Sequence, residues 1–311
     1  MHSYCYNSKM EIPPEIALLY RHLERHSSHP VKNIKELDCT RHDSELLYSI
    51  SIFISERMNV WKKKYNNESK PYTTDPVLVS YRFCNIYREL DKQTIQLHTF
   101  LNPLRDDLPL WILNMFAHRI IANPETSYKL GYLSLDTEQN RELMDLFLEI
   151  PRPKFGSPYI FPISVIQAKN ISSRESFICE VLPMLAPFIA FIVSSSNNES
   201  ITHLLTEICE SIGLNLRFHI TELLIDTAYQ FPECIDLYKP IYIGPGAMPT
   251  ARLFEAPDIL EQLTGYTPES FPVLTLNTRP IPLSYENWEG IFCEFRKYSN
   301  LLKGIGRKRK Y

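Results

Sequence analysis

From Asp43 to Tyr65 the apolar residues Leu46, Leu47, Ile50, Ile54, Met58 and Trp61 recur at intervals of one, three and four. Only an α-helix turns such a spacing to one side. A helix of that length with one apolar stripe has to bury it against other elements, so much of the chain is committed to helical layers. Other segments read the same way. Pro14 to Arg25 opens with proline at a first turn. Leu108 to Ala122 is apolar, carries Arg119 near its end and stops at Asn123-Pro124. Thr137 to Leu148, Ser173 to Ser194 (bent near Pro183 and Pro187), Ile201 to Ile212 and Arg217 to Tyr229 are further helices. Strand signals are confined to Pro158–Ile166 and Pro272–Leu276, and residues 231–283 form a proline-rich run of loops and short helices. The expectation is a mainly α fold with few or no strands, in one unit or two lobes.

Composition narrows the function classes. With 44% hydrophobic and 22% charged residues and only nine glycines in 311, the chain is a folded globular one. No uninterrupted apolar run reaches the ~18 residues of a membrane span, and Met1-His2-Ser3-Tyr4-Cys5 lacks the pattern of a signal peptide. A cytoplasmic protein without a membrane partner is expected. The seven cysteines are scattered, with no C-x-x-C pair, which excludes a disulfide framework, a zinc ribbon and the four-cysteine cluster of some DNA-repair glycosylases. No Walker-type phosphate loop occurs, so the chain is not itself a P-loop kinase.

Net charge is −3, yet basic residues cluster locally at Trp61-Lys62-Lys63-Lys64 and in the tail Arg307-Lys308-Arg309-Lys310. Either cluster can follow a phosphate backbone or simply be solvated. The densest chemistry lies in Thr74-Asp75-Pro76 and Tyr81 to Asp91, where Arg82, Asn85, Arg88 and Asp91 recur every three residues. Read as a helix over Val77 to His98, this places Arg, Asn and Asp on one face. Such a face is either a polar site or a buried ion-pair network. Ile241-Tyr242-Ile243-Gly244-Pro245-Gly246-Ala247 resembles the turn of a helix-hairpin-helix, whose backbone N–H groups meet DNA phosphate.

Four blocks together resemble one family. Pro71 to Pro76 with Tyr81 to Asp91 matches its "WT-DP … YRF-NVYRELD" signature, and His118 to Thr126 its "R-h-h-N-x-PET" block. Asp226 with Gly244 to Ala247 matches its "D-L … GPGA" block, and Glu286-Asn287, Phe292 to Tyr298 and Gly306-Arg307 its C-terminal block. The family is the alpha-glutamyl/putrescinyl thymine pyrophosphorylase superfamily, which includes amino acid:DNA transferases and the helical domain of 5-hydroxymethyluracil DNA kinases. The resemblance covers residues 59–311 and leaves 1–58 as an N-terminal helical extension of unknown role. Glu222, Arg296 and Thr250-Ala251-Arg252 depart from the family pattern.

The resemblance implies a helix-hairpin-helix, DNA-glycosylase-like helical fold and a role in thymine hypermodification of double-stranded viral DNA. An amine, from an amino acid or a polyamine, displaces pyrophosphate from pyrophosphorylated 5-hydroxymethyluracil after a separate DNA kinase has acted. Arg82, Arg88 and Arg119 then stabilise the leaving group, with Asn85 beside them. Asp226 or Asp91 serves as base, and Tyr81, Tyr87 and Phe83 stack on a flipped base. Gly244, Pro245 and Gly246 with Arg307, Lys308 and Arg309 bind DNA. No metal ligands are implied, although a divalent cation can accompany pyrophosphate. Arg82, Asn85, Arg88, Asp91, Arg119 and Asp226 are expected on one pocket. The alternative is a non-catalytic module that binds modified DNA and recruits the kinase. A glycosylase fits less well, because Arg252-Leu253-Phe254 stands where its catalytic acid is needed.

Overall fold

The computed structural model describes residues 9–156 and 161–305. Its chain falls into two units, Met1–Lys92 with Ile243–Tyr311 (unit 1) and Gln93–Tyr242 (unit 2). Unit 1 begins with β1 (Lys9–Glu11), α1 (Pro14–Ala17), α2 (His22–His26) and β2 (Lys32–Asn33). The helix expected over Pro14 to Arg25 is thus two short pieces. At the break, the Tyr20 hydroxyl donates to Glu89 O (3.0 Å) and His22 Nε2 meets the Glu89 carboxylate (2.7 Å). Helix α3 (Arg41–Tyr65) is the long expected one, capped by Thr40, which accepts from the Asp43 N–H. It buries Leu47, Ile50, Phe53, Ile54 and Met58. The boundary expected between residues 58 and 59 falls inside this helix.

Helix α4 (Pro76–Ser80) starts at an Asp75 cap and ends after five residues. The sequence pattern predicts a helix through to His98. Instead Tyr81 is extended (φ −126°, ψ 148°), the chain loops to a 3₁₀ turn at Arg88–Leu90, and only then does α5 (Lys92–Leu101) begin.

Unit 2 is built around α6 (Leu108–Ile121), a helix apolar on every side and therefore central. It ends at Ala122 in the left-handed region (φ +48°). The Ile121 carbonyl there accepts the Gly156 N–H at 2.8 Å. A Cβ at Gly156 would lie 2.0 Å from Ala122 O, so no other residue fits this crossing. The unit continues with α7 (Pro124–Leu130), α8 (Asn140–Glu149) and α9 (Ile163–Gln167). Helix α9 stands where a strand is expected over Pro158–Ile166, a stretch whose residues 157–160 lie outside the described ones.

Then α10 (Arg174–Ser176) passes through a π turn at Phe177–Val181 into α11 (Leu182–Ser195). The irregular turn falls just ahead of Pro183, whose nitrogen cannot donate. This continuous 22-residue stretch has the length and mean hydropathy of a membrane-crossing helix, although Glu175 and Glu180 interrupt its apolar run. Here Ala186, Ile189, Ala190 and Val193 are buried and the helix packs on α6. Helices α12 (Ile201–Ile212), closed by Gly213 in the left-handed region, and α13 (Arg217–Gln230) complete the unit.

Unit 1 resumes with α14 (Met248–Ala251), α15 (Ile259–Leu263), β3 (Tyr266–Thr267), β4 (Val273–Leu276), β5 (Arg279–Pro280) and α16 (Tyr285–Leu302). Strand β4 pairs with β1 in parallel (Met10 opposite Leu274) and with β5 antiparallel, while β2 pairs with β3. A capping box at Ser284 and Asn287 starts α16, which packs on α3, α4, α14 and α15 through buried Trp288, Ile291, Phe292 and Phe295. The fold is mainly helical, as the periodicity indicates.

Candidate functional site

Within unit 1 three signature blocks meet. Asp75 uses Oδ1 to cap α4, accepting from the N–H groups of Val77 (2.8 Å) and Leu78 (2.9 Å). Its Oδ2 accepts the Tyr298 hydroxyl at 2.6 Å. Burial, then this bond and the charges of Asp75 and Glu56, push the Tyr298 phenol up, so it stays a donor. The Lys297 ammonium donates to the Arg82 carbonyl, sits 4.5 Å from the Phe83 ring centre and pairs with Glu294 at 3.4 Å. Glu294 also accepts the Cys84 N–H at 3.1 Å.

The polar residues of the loop lock the backbone rather than share a helix face. One nitrogen of Arg57, Nη2, donates to Phe83 O (3.1 Å), Cys84 O (3.0 Å) and Asn85 Oδ1 (3.2 Å). Asn85 donates from Nδ2 to Leu90 O (2.8 Å), and its N–H meets Asp91 Oδ1 (2.9 Å). Side chains that bond nearby backbone compete with a helix and here displace it. The carboxyl of Asp91 is pushed up to about 6 by burial, against the pull of the Asn85 N–H and the Arg88 and Arg57 charges. Tyr81 and Arg88 are half-buried and Arg82 is exposed.

Tyr87 is wholly buried and donates its hydroxyl to Ile281 O at 2.7 Å. Packed on Phe271, it belongs to the core and does not face a base, which corrects its assignment as a stacking residue. Burial raises the thiol of Cys84, and pushes that of Cys293 to about 12, with nearby carboxylates adding to both. Neither is an activated nucleophile.

The Gly244-Pro245-Gly246 turn packs on α16. Its Gly244 N–H donates to Glu289 Oε1 at 3.0 Å, and Pro245 O accepts from Arg296 at 2.9 Å. A Cβ on Gly246 would lie 2.4 Å from Cys293 Sγ, so the glycine is required by packing. Irregular chain from Phe231 precedes the turn and a helix of only four residues follows, so it does not join two long helices. Of the basic residues, Lys63 donates to Tyr72 O and Lys64 lies over the Tyr72 ring. Arg307, Lys308 and Arg309 lie outside the described residues.

Unit 2 holds the other constellation. Asp226 is fully buried. Arg119 grips it with Nε on Oδ2 (2.6 Å) and Nη2 on Oδ1 (2.7 Å). His98 Nε2 lies 3.1 Å from Oδ1, and its Nδ1 lies 3.1 Å from Gln230 Nε2. An amide donating to Nδ1 makes Nε2 the protonated nitrogen, which donates to Asp226. A cavity of about 40 Å³ adjoins, lined by Phe100, His118, Arg119, Asn123 and Tyr128 among others. Arg119 therefore bonds Asp226 inside unit 2. Of the six residues expected in one pocket, Arg82, Asn85, Arg88 and Asp91 belong to unit 1, and Arg119 and Asp226 belong to unit 2. Arg57, His98 and Gln230 were not singled out by sequence. Arg57 left a signal, a cation three residues after Ile54 on the buried side of α3.

No group of three or more His, Cys, Asp or Glu suited to a metal occurs among the described residues. A mainly helical protein with a carboxyl near neutrality beside arginines is the class that fold and site define. The family model described as 5-hmdU DNA kinase, helical domain, matches residues 44–304, and the chain belongs to that family. It is similar to the 5-hmdU DNA kinase of Bacillus phage SP10, at 35% identity over 91 residues. That alignment covers 28% of this chain and 14% of the relative's length. No solved structure matches the chain.

Proposed function

We propose that this protein acts in thymine hypermodification of DNA, replacing pyrophosphate on pyrophosphorylated 5-hydroxymethyluracil by an amine. The observation that carries this reading is the meeting of signature blocks in unit 1 around Asp91, whose carboxyl sits near 6. The amine nitrogen attacks the C5 methylene carbon, the C–N bond forms, and the C–O bond breaks with pyrophosphate taking its electron pair. Asp91 takes the proton the nitrogen loses. Exposed Arg82 and half-buried Arg88 stabilise the departing charge, with any divalent cation arriving on the pyrophosphate. Tyr81 stacks on the flipped base. Asp226, with both oxygens held by Arg119, organises unit 2 instead of acting as base. DNA phosphate is met at the Gly244–Gly246 turn, where Arg296 supplies charge, and by Arg307, Lys308 and Arg309.

The test mixes purified protein with kinase-treated 5-hydroxymethyluracil DNA and a pool of amines, and weighs the nucleosides. An adduct with release of pyrophosphate is expected, and Asp91→Asn should be slower by about 10²–10⁴-fold while still binding DNA. A second reading, a module that recruits the kinase to modified DNA, is favoured by the family description as a kinase's helical domain. Binding of that DNA without adduct or pyrophosphate release would select it.

A further inference from the structure

The family match spans residues 44–304 and assigns nothing to the chain ahead of it. Residues 9–33 are nevertheless built into unit 1 beside the signature loop. Strand β1 lies parallel to β4, with Met10 opposite Leu274, and the Ile12 N–H donates to Thr275 O at 2.8 Å. The Glu11 carboxylate accepts the N–H groups of Asn277 and Thr278, which turn β4 into β5 with left-handed backbone (φ +50° and +68°). The Leu274 N–H lies 3.4 Å from the Tyr87 hydroxyl, so β1 and β4 support the residue just ahead of Arg88. A second contact is direct. At the break between α1 and α2, the Tyr20 hydroxyl donates to Glu89 O at 3.0 Å. His22 Nε2 lies 2.7 Å from Glu89 Oε1, and both side chains are almost wholly shut away from water. Glu89 is the middle residue of the Arg88–Leu90 turn, in which Arg88 O accepts the Asp91 N–H at 3.0 Å.

We infer that Tyr20 and His22 are positioning residues for Asp91, acting through Glu89, and that residues 9–33 are part of the site rather than an appendage to it. The turn into Asp91 is held twice. Asn85 bonds Leu90 O, and Tyr20 and His22 bond the backbone and the side chain of Glu89. An exposed pair of this kind would hold little. A buried carboxylate with a buried partner is different, because moving it away leaves a polar group unmatched out of reach of water. A turn freed at Glu89 lets water reach the Asp91 carboxyl, whose titration is held up by burial above all. The role of Asp91 as base rests on the transfer proposed above; its placement by Tyr20 and His22 does not.

NMR titration of the carboxyl carbons in the full chain without DNA tests this, with Asp91 assigned by the signal lost in Asp91→Asn. Tyr20→Phe removes one hydroxyl and keeps the ring, while His22→Leu removes the partner of the Glu89 carboxylate. Both should lower the Asp91 midpoint from about 6 to about 5.5 or below, towards the ordinary 3.9. Both should also speed hydrogen exchange at the Asn85 and Asp91 amides. His22→Gln, which offers an N–H to the same oxygen, should restore part of each effect. Leu263→Ala, a core truncation in α15, should lower the melting temperature and leave the midpoint in place. Where His22→Leu fails to fold, Tyr20→Phe decides. An unmoved midpoint with unmoved exchange in Tyr20→Phe, or the same shift in Leu263→Ala, overturns the inference. In the transfer assay Tyr20→Phe should lower kcat about tenfold or more with KM for DNA unchanged, and transfer at the full rate overturns the inference for the site. A midpoint that moves while wild type forms no adduct supports the positioning and overturns the transferase reading.

Discussion

Arg119 and Asp226 form a two-pronged ion pair, 2.6 Å and 2.7 Å long, with both side chains almost entirely shut away from water. Removing one member leaves the other charge buried and unmatched, which costs about 3–5 kcal/mol. Asp226→Ala should therefore lower unfolding stability by that order in urea titration. The double variant Asp226→Leu with Arg119→Met should recover much of the loss, because it leaves no unmatched charge. A single variant as stable as wild type would show that water reaches the pair.

Gly246 faces Cys293 so closely that a Cβ cannot fit without movement. Gly246→Val should destabilise unit 1 by about 1–3 kcal/mol. Adding Cys293→Ala frees the space and should return part of that loss in thermal unfolding. Additive effects of the two changes would place the strain elsewhere.

The carboxyl of Asp91 titrates near 6 when folded, against about 3.9 in an unfolded chain. Folding thus favours its protonated form. Its contribution to stability is present in full below about pH 4 and is lost as pH rises through about 6. Urea midpoints of wild type relative to Asp91→Asn should fall across that window. If Asp91 is the base, kcat/KM should rise over the same range and lose that limb in the variant. A difference flat with pH sinks the assignment.

His118 and His219 behave in the opposite sense. Burial lowers both to about 4 in the folded state, below the ordinary 6.5. Their contribution is present above about pH 6.5 and is lost as pH falls towards 4. His219 Nε2 has no hydrogen-bond partner among the described residues, and its ring packs on Phe161. His219→Phe should accordingly reduce acid destabilisation measured by circular dichroism between pH 6.5 and 4. An unaltered acid transition would remove His219 from this account.

Arg57 holds three acceptors of the Tyr81–Asp91 loop through one nitrogen. The lysine stem is one atom shorter, so its ammonium falls short of the place where Nη2 meets those acceptors. Arg57→Lys should cost about 1–3 kcal/mol and speed hydrogen exchange at the Asn85 amide. Unchanged exchange there would mean that Asp91 alone fixes the loop.

Sequence by itself determined the elements whose information is local. The apolar stripe and Thr40 cap specify α3, the all-round apolarity specifies α6, and Gly213 ends α12. Each of these depends on residues a few positions apart, the range over which periodicity and capping act. The same reasoning failed at Tyr81–Asp91, because a three-residue spacing of polar groups looks helical until the carbonyls' partner is known. That partner, Arg57, lies 26 to 28 positions upstream. Only the tertiary structure decided that Asp226 belongs to Arg119, 107 positions away, and that Glu89 belongs to Tyr20 and His22. Charge pairing and desolvation depend on distance in space, and no local pattern encodes which distant side chain will arrive.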